Sequence, residues 1–551
     1  MTIITGIADW VSGLEYDHIP ERVRDKARLQ ILSVLAAIHA SARHEIGQKV
    51  IAAATAWAGD GPCTIIPTGK KADLLTAVWA NAALSVALDY DDYLLFGHTG
   101  HSAVAVSLAM AEREQKPLAL ALTAQVAANE IEGRLGAAVT LGPHNGQAWS
   151  HIHLAGAAAA AAKILGLSAG AIAHAIAIAL YQPTWCLMPG FMGPDSKATT
   201  AATPAVTGVQ AALLAAAGAT GPLDVIEHPQ GFLARLSYVP QPWFFTGFGR
   251  AWTTDTMAYK IYPGCAYIDT AVDATLKLRA QYRDETGTPL DPDAVESVLV
   301  EATLLTVEMD HLSRTGGTFD PLNPVSLNFS IPGNIALALM KGRLTADDLR
   351  QSEIVAVKDA MLALAGRVTL KHDWGLTVRF LEAMDETLGL GDLAARLSLG
   401  DAIKIRSRAQ DQYGSAMGFS LADLREAWGQ SPAARARVWA GLKGRVFGGS
   451  RAGSRAFDLG SCRLENFRMP FAARVTITIK GGRKLTLTQE VPLAGPGRPA
   501  EETRELVAAK YQWEAEAGLD GNKVRALLEA APALEAKLSV RQLIDLCCVQ
   551  E

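Results

Sequence analysis

From Ile19 to Ala217 the chain reads as one helix after another, built largely of alanine, and that pattern leaves little choice of fold. The first of these, Ile19 to Ala42, carries Val23, Ala27, Ile31, Leu32 and Leu35 at helical spacing behind Pro20. Similar segments follow at about 47–58, 72–88, 103–112, 118–135, 155–165, 169–180 and 202–217. Few β-branched runs interrupt them, and alanine and glycine let helix backbones approach closely. This half is therefore expected to be an all-α bundle.

The period changes after Pro263. One more helix, Ile268 to Arg279, leads through a polar linker at 284–293 to Val295–Glu308, whose β-branched residues suggest a strand. Phe471 to Thr488 reads as a hairpin turning at Gly481 and Gly482. Between them come helices at about 332–340 and 345–362 and a short strand at 367–371. The fold class expected is mainly α: a large all-α domain (1–260 with 495–551) plus a smaller α+β lid domain (261–494) inserted before the C-terminal helices. Within the lid, Trp374 to Phe457 reads as an extra helical insertion rich in arginine and glycine, its basic residues concentrated between Arg435 and Arg455. Those arginines fit a solvated face, or a contact to an anionic substrate or a partner subunit.

Composition narrows the partners. The net charge is −5 with no Lys/Arg-rich run, which argues against nucleic acid. Cys63, Cys186, Cys265, Cys462, Cys547 and Cys548 are scattered without CxxC spacing, as in a cytoplasmic protein with reduced thiols and no zinc or iron–sulfur centre. No signal peptide is evident, and the alanine run 155–167 is too short to span a membrane. A chain with 49% hydrophobic and only 19% charged residues has apolar surface to cover, so a homo-oligomer is expected.

The stretch that carries chemistry is Asn81–Ser102, NAALSVALDYDDYLLFGHTGHS. An apolar helix delivers Asp89, Asp91 and Asp92 to a turn that presents His98 and His101 around Thr99 and Gly100. A carboxylate can fix an imidazole in one tautomer and raise its basicity, which is the raw material of general acid/base catalysis. An acidic helix end followed by a polar loop would read the same way.

Several further segments give the chain a resemblance to the MmgE/PrpD family: LDYDD at 88–92 with the histidine turn after it, EIEGRLG at 130–136, SKATTAATPAVTG from Ser196, KIYPGC at 260–265, and LNFSIPGNIALALMKG from Leu327. The resemblance implies a two-domain subunit forming a homodimer, active on a small-molecule carboxylate by proton chemistry with no cofactor and no metal. Carried over residue by residue, it places the catalytic groups at Asp89 and Asp92, at His98 or His101, and at Lys197. The substrate-binding groups implied are His151, His153, Tyr262, Cys265 and Asp269.

Three positions depart from the family pattern. AWSHIHLAG offers His151 and His153 in place of one expected histidine, Asp269 stands where another histidine is usual, and Gly333 replaces a tyrosine. A pocket with fewer cations is poorly matched to a tricarboxylate, so the substrate is expected to be something other than 2-methylcitrate. The reading that follows is a lyase of the 2-methylcitrate dehydratase type. An isomerase, an epimerase or a carbon–carbon hydrolase would use the same groups, and a non-catalytic scaffold is the remaining option.

Overall fold

The computed structural model describes residues 1–143, 150–315, 319–389 and 458–549, with scattered residues between 400 and 430. The arginine-rich run 435–455 lies outside them. Helices dominate the first half: α1 (Ile3–Gly13), α2 (Glu21–Ala42), α3 (Glu45–Trp57), α4 (Leu74–Val86), α5 (Gly100–Arg113), α6 (Leu118–Ala138), α7 (Ser150–Ile164), α8 (Ala169–Leu180) and α9 (Thr199–Ala216). The starts of α4 and α8 are fixed by side-chain caps, Asp73 accepting from Thr76 N and Ser168 from Ala171 N. Helix α1 went unremarked in the sequence because its apolar positions, Ile4, Ile7, Ala8 and Val11, span barely three turns.

Alanine and glycine act here as expected. Helix α7 is buried along its whole described length and runs against α6 and α9. At Gly208 in α9 an added Cβ would come within 2.6 Å of both the Leu154 carbonyl and the Ala157 Cβ, so only hydrogen fits between the two backbones.

Two short antiparallel pairs, β1 (Cys63–Ile65) with β2 (Lys70–Ala72) and β3 (Asp92–Tyr93) with β4 (Ala258–Tyr259), edge this bundle. The later part follows with helix α10 (Asp269–Thr286), β5 (Val295–Ala302), helix α11 (Leu304–Thr315), helix α12 (Ile331–Lys341), β6 (Val368–His372), helix α13 (Trp374–Leu388), β7 (Ala473–Ile479) and β8 (Lys484–Gln489). The strands form one sheet ordered β6-β5-β7-β8, parallel between β5 and β6 and antiparallel elsewhere. The chain returns to helix in α14 (Ala500–Glu516), α15 (Gly521–Ala530) and α16 (Val540–Leu546).

Three expectations need correcting. The strand beginning at Val295 ends at Ala302, and 304–308 begin helix α11, because Thr303 opens a helical turn through Thr306. The helix expected at 345–362 is broken into Asp347–Leu349, Gln351–Ala356 and Lys358–Ala365, with Asp348 turned back to accept from Thr345. Helix α13, placed in an extra insertion, puts Met384 and Leu388 into the main core.

Two apolar clusters result. The larger joins α1–α9 to α13 and the C-terminal helices, through Val507, Tyr511, Leu527 and Leu543. The smaller lies between the sheet, α10 and α12, and includes Phe191 and Phe329. No helix among the described residues is long and apolar enough to cross a membrane. The close approach at Gly208 makes a direct prediction: Gly208→Ala should cost about 1–3 kcal/mol by overpacking, read as a lower denaturant midpoint with an unchanged slope.

Candidate active site

The seam between the two clusters is filled by charge. Helix α4 stops at Val86, and Asp89 then adopts φ +54°, a left-handed conformation that costs a non-glycine residue about 1–2 kcal/mol. Neighbouring groups hold it there. The Asp89 carbonyl accepts from Gly264 N (3.2 Å) and Lys260 Nζ (3.0 Å), the Tyr90 carbonyl from Lys510 Nζ (2.6 Å), and the Asp91 carbonyl from Lys260 N (3.1 Å). Gly264 itself sits at φ +142°, and a Cβ on it would strike Ile268 at 2.5 Å, so glycine is needed for this approach.

The turned backbone aims two carboxylates at two ammonium groups. Lys197 Nζ donates to Asp89 Oδ2 at 2.8 Å, while Lys260 Nζ donates to Asp89 Oδ1 and, at 2.8 Å, to Asp91 Oδ1. The four side chains have no exposed surface. Burial pushes the Asp89 carboxyl up, but Lys197 and Lys260 overcome it and hold it at about 2. Asp91 is held well below the usual carboxylate range for the same reason, with Lys260, His101 and His98 all opposing burial.

Both histidines expected from the sequence meet on Asp91. His98 Nδ1 lies 2.9 Å and His101 Nε2 3.0 Å from Asp91 Oδ2. His101 is engaged on its other side as well, with Nδ1 2.8 Å from Ser85 Oγ. His98 differs: among the described residues nothing hydrogen-bonds its Nε2, and the residue keeps 7% of its surface exposed. Asp91 therefore fixes the Nδ1–H tautomer of His98 and leaves the Nε2 lone pair open. Burial lowers the His98 imidazole below its usual range, with Asp91 only partly restoring it, so it is neutral near pH 7.

Lys197 comes from the Asp195–Ala198 turn that leads into α9. Its ammonium lies 4.3 Å from the Phe329 ring centre and 5.5 Å from that of Phe191, and burial lowers its pKa against the pull of Asp89. Cys265 joins the group, its thiol raised to about 12 by burial and Asp89.

The other sequence candidates fall in different places. Asp92 points away into buried amides, accepting from Gln30 Nε2 at 2.7 Å, and is not brought to the lysines. Burial and Asp91 raise it to about 7. His153 Nδ1 lies 2.7 Å from Ser102 Oγ, which donates to Glu132, and its ring stands edge-on 5.9 Å from His101, one layer behind the cluster. His151 packs edge-on against Phe232. Tyr262 is buried near Asp273 and Asp269, and Asp269 lies at the start of α10.

Two lysines of the site were not singled out by sequence reasoning. Lys260 stands in KIYPGC, a segment quoted for resemblance, where its pairing with two distant aspartates leaves no local trace. Lys510 is hidden in the charged pattern of α14, yet it is buried, with Nζ donating to Ser33 Oγ (2.9 Å) and Tyr90 O and lying 4.0 Å from the Tyr90 ring centre. Burial lowers it to about 7 against the pull of Asp91, Glu514 and Asp92.

Asp91, His98 and His101 offer three ligand atoms within 4.8 Å of one another, enough in principle to hold a divalent cation. The Lys260 ammonium on the second oxygen of Asp91 opposes a cation there, because it already neutralises that carboxylate.

Residues 5–243 match the MmgE/PrpD N-terminal domain and residues 262–391 the MmgE/PrpD C-terminal domain. The second match includes α13, so the segment read as extra begins after that helix. A cis-aconitate decarboxylase from Aspergillus terreus strain NIH 2624 is 28% identical over 298 residues, covering 50% of this chain and 60% of the relative. A second cis-aconitate decarboxylase from Aspergillus terreus is 27% identical over 302 residues, 51% of this chain and 61% of the relative. The chain thus spans about three fifths of the length of these curated relatives.

The contrast between neighbouring aspartates is testable. Asp91→Asn removes the charge shared by Lys260 and two imidazoles and turns one of its two accepting oxygens into an N–H donor, and should cost about 3–5 kcal/mol. Asp92, raised to about 7, binds a proton in the native state that it has lost in the unfolded state between its ordinary 3.8 and 7, so its burial costs stability as pH rises through that range. Asp92→Asn should therefore leave stability at pH 8 unchanged or higher, as measured by denaturant titration of both variants.

Proposed function

The chain belongs to the MmgE/PrpD family, and from that premise we propose that it is a lyase moving a proton on a carbon next to a carboxylate, with His98 as the proton-transfer group. The observation that carries this reading is the state of His98: held through Nδ1 by Asp91, open at Nε2, and joined to Lys197 through the chain Asp91–Lys260–Asp89.

In the forward step His98 Nε2 takes the proton from carbon, and the C–H electron pair moves toward the adjacent carboxylate as an enolate. Lys197, close to neutralised by Asp89 in the free site, turns its charge to the developing oxyanion. The enolate then expels hydroxide from the β-carbon, and the proton that His98 carries joins it so that it leaves as water. In a decarboxylation the C–CO2 bond breaks to release CO2 and leaves its electron pair on the substrate, and His98, first protonated at Nε2 by water, delivers that proton to the resulting carbanion. The A. terreus relatives, named as cis-aconitate decarboxylases, support the second outcome.

Charge matching limits the substrate. Lys197 and Lys260 are already offset by Asp89 and Asp91, so the site offers little net positive charge to a tricarboxylate such as 2-methylcitrate. A less anionic substrate fits better. The scheme uses side chains of the chain alone, and Lys260, which already neutralises Asp91, opposes a cation beside it. The reading includes a homodimer, for which the exposed Trp57, Tyr181, Trp185 and Leu187 offer apolar surface.

Assays of CO2 release and double-bond formation from cis-aconitate, 2-methylcitrate and C4 to C5 dicarboxylates test the proposal. His98→Ala should lower kcat/KM by about 10²–10⁴-fold, with full activity of the wild type retained after EDTA treatment. Activity that survives His98→Ala, or is lost to EDTA, overturns the mechanism. Because the His98 imidazole is lowered, the acid limb of kcat/KM should fall below pH 6.5, the ordinary value for histidine.

A further inference from the structure

One buried ammonium has no carboxylate to hold. Lys510 of α14 is 4% exposed, and its Nζ donates to the Tyr90 carbonyl at 2.6 Å and to Ser33 Oγ at 2.9 Å, both neutral oxygens. Among the described residues no carboxylate comes within ion-pair distance of it. Lys197 and Lys260, also buried, each donate to Asp89. Glu514, one turn along α14, is the obvious counter-ion, but Arg43 takes its Oε2 at 2.6 Å and its Oε1 bonds nothing. The Tyr90 ring, centred 4.0 Å from Nζ, offers only the negative face of its π-system.

The surrounding charges pull both ways. Asp91 and Asp92 at β3 and Glu514 on α14 attract the ammonium, Lys260 beyond β4 repels it, and Lys510 acts in turn on Asp269 at the start of α10. Helix α2, packed along α14, brings Arg43 onto Glu514 and His39 edge-on to Tyr511 at 6.1 Å. Burial outweighs the attraction and lowers Lys510 from 10.5 to about 7, so it exchanges its proton near neutrality. The front row of the site is balanced by contrast, with the ammonium groups of Lys197 and Lys260 facing the carboxylates of Asp89 and Asp91. A protonated Lys510 therefore adds a positive charge that no carboxylate contact cancels.

We propose that Lys510 is the charge behind the site that an anionic substrate neutralises, so that binding beside Lys197 and His98 draws a proton from bulk water onto the Lys510 amine. The proposal rests on the lyase reading for the place of the anion, and goes beyond it by linking binding to a proton on a residue the substrate does not touch. Linkage is reciprocal: the anion raises the proton affinity of the amine by the factor by which the protonated amine raises affinity for the anion. The neutral amine keeps two N–H groups for Tyr90 and Ser33, so the proton changes the charge and leaves the hydrogen bonds in place.

The test is calorimetric titration with mesaconate, a five-carbon dicarboxylate already fully ionised at neutral pH, in phosphate and in Tris, whose different ionisation heats reveal the protons taken up. A linkage of about ten-fold gives an uptake of about 0.4 proton at pH 7, largest between pH 7 and 8 and small at pH 6 and pH 9. His98, lowered by burial, titrates below that window. Asp92 lies within it at about 7, so the uptake should persist in Asp92→Asn. Lys510→Met should bind mesaconate about ten-fold more weakly than the wild type at pH 6 and equally at pH 9, without the uptake. Lys510→Arg, permanently charged, should match the wild type at pH 6 and bind about ten-fold more tightly at pH 9. Where neither lysine variant folds, the uptake by the wild type and Asp92→Asn decides. A wild type that leaves mesaconate unbound or binds it without uptake between pH 7 and 8, an uptake lost in Asp92→Asn, or one retained in Lys510→Met overturns the proposal. Turnover of His98→Ala separates the two claims. A dead His98→Ala enzyme alongside a wild type without uptake removes only the role of Lys510, whereas an active one alongside an uptake lost in Lys510→Met removes only the lyase reading.

Discussion

Two lysines and two aspartates share a space with no solvent, and the rest of the molecule is arranged so that this is tolerable. A buried charge without a partner costs several kcal/mol, so Lys197, Lys260, Asp89 and Asp91 must all be in register for any of them to stay ionised. That register explains the strained conformation at Asp89, the glycine at 264 and the short β3–β4 pair that brings Lys260 beside Asp91. Each would be an unrewarded cost in a protein without the cluster.

The arrangement also limits what the site can bind. Its ammonium groups already hold carboxylates of the protein, so a substrate carboxylate has to compete for them. Competition favours ligands whose charge is small. His98 is the exception to this internal pairing, because Asp91 uses one of its nitrogens and leaves the other open. A fixed tautomer with one unengaged nitrogen is what a proton-transfer group requires.

Much of the site was legible before the fold. Asp89, His98, His101 and Lys197 were all identified, and the structure joins them through a continuous chain of ion pairs. The sequence left His98 and His101 equivalent, because spacing says nothing about which ring has a nitrogen to spare. Asp91 was read as completing a motif, yet it is the hub on which both histidines and Lys260 converge. Asp92 was read as catalytic, and its side chain turns to Gln30 and away from Lys197 and Lys260. Lys260 and Lys510 passed unnoticed for a common reason: each looks like an ordinary surface lysine until the chain around it is buried.

What the sequence determined by itself was the local order: helical periodicity through the first half, the Gly481–Gly482 hairpin, and an aspartate-rich turn followed closely by histidines. These depend on spacing along one stretch of chain, and spacing is what a sequence displays. Tertiary structure decided which charges meet. Asp89, Lys197, Lys260 and Lys510 come from four segments up to 421 residues apart, and only packing the two apolar clusters together forces them out of water and onto one another.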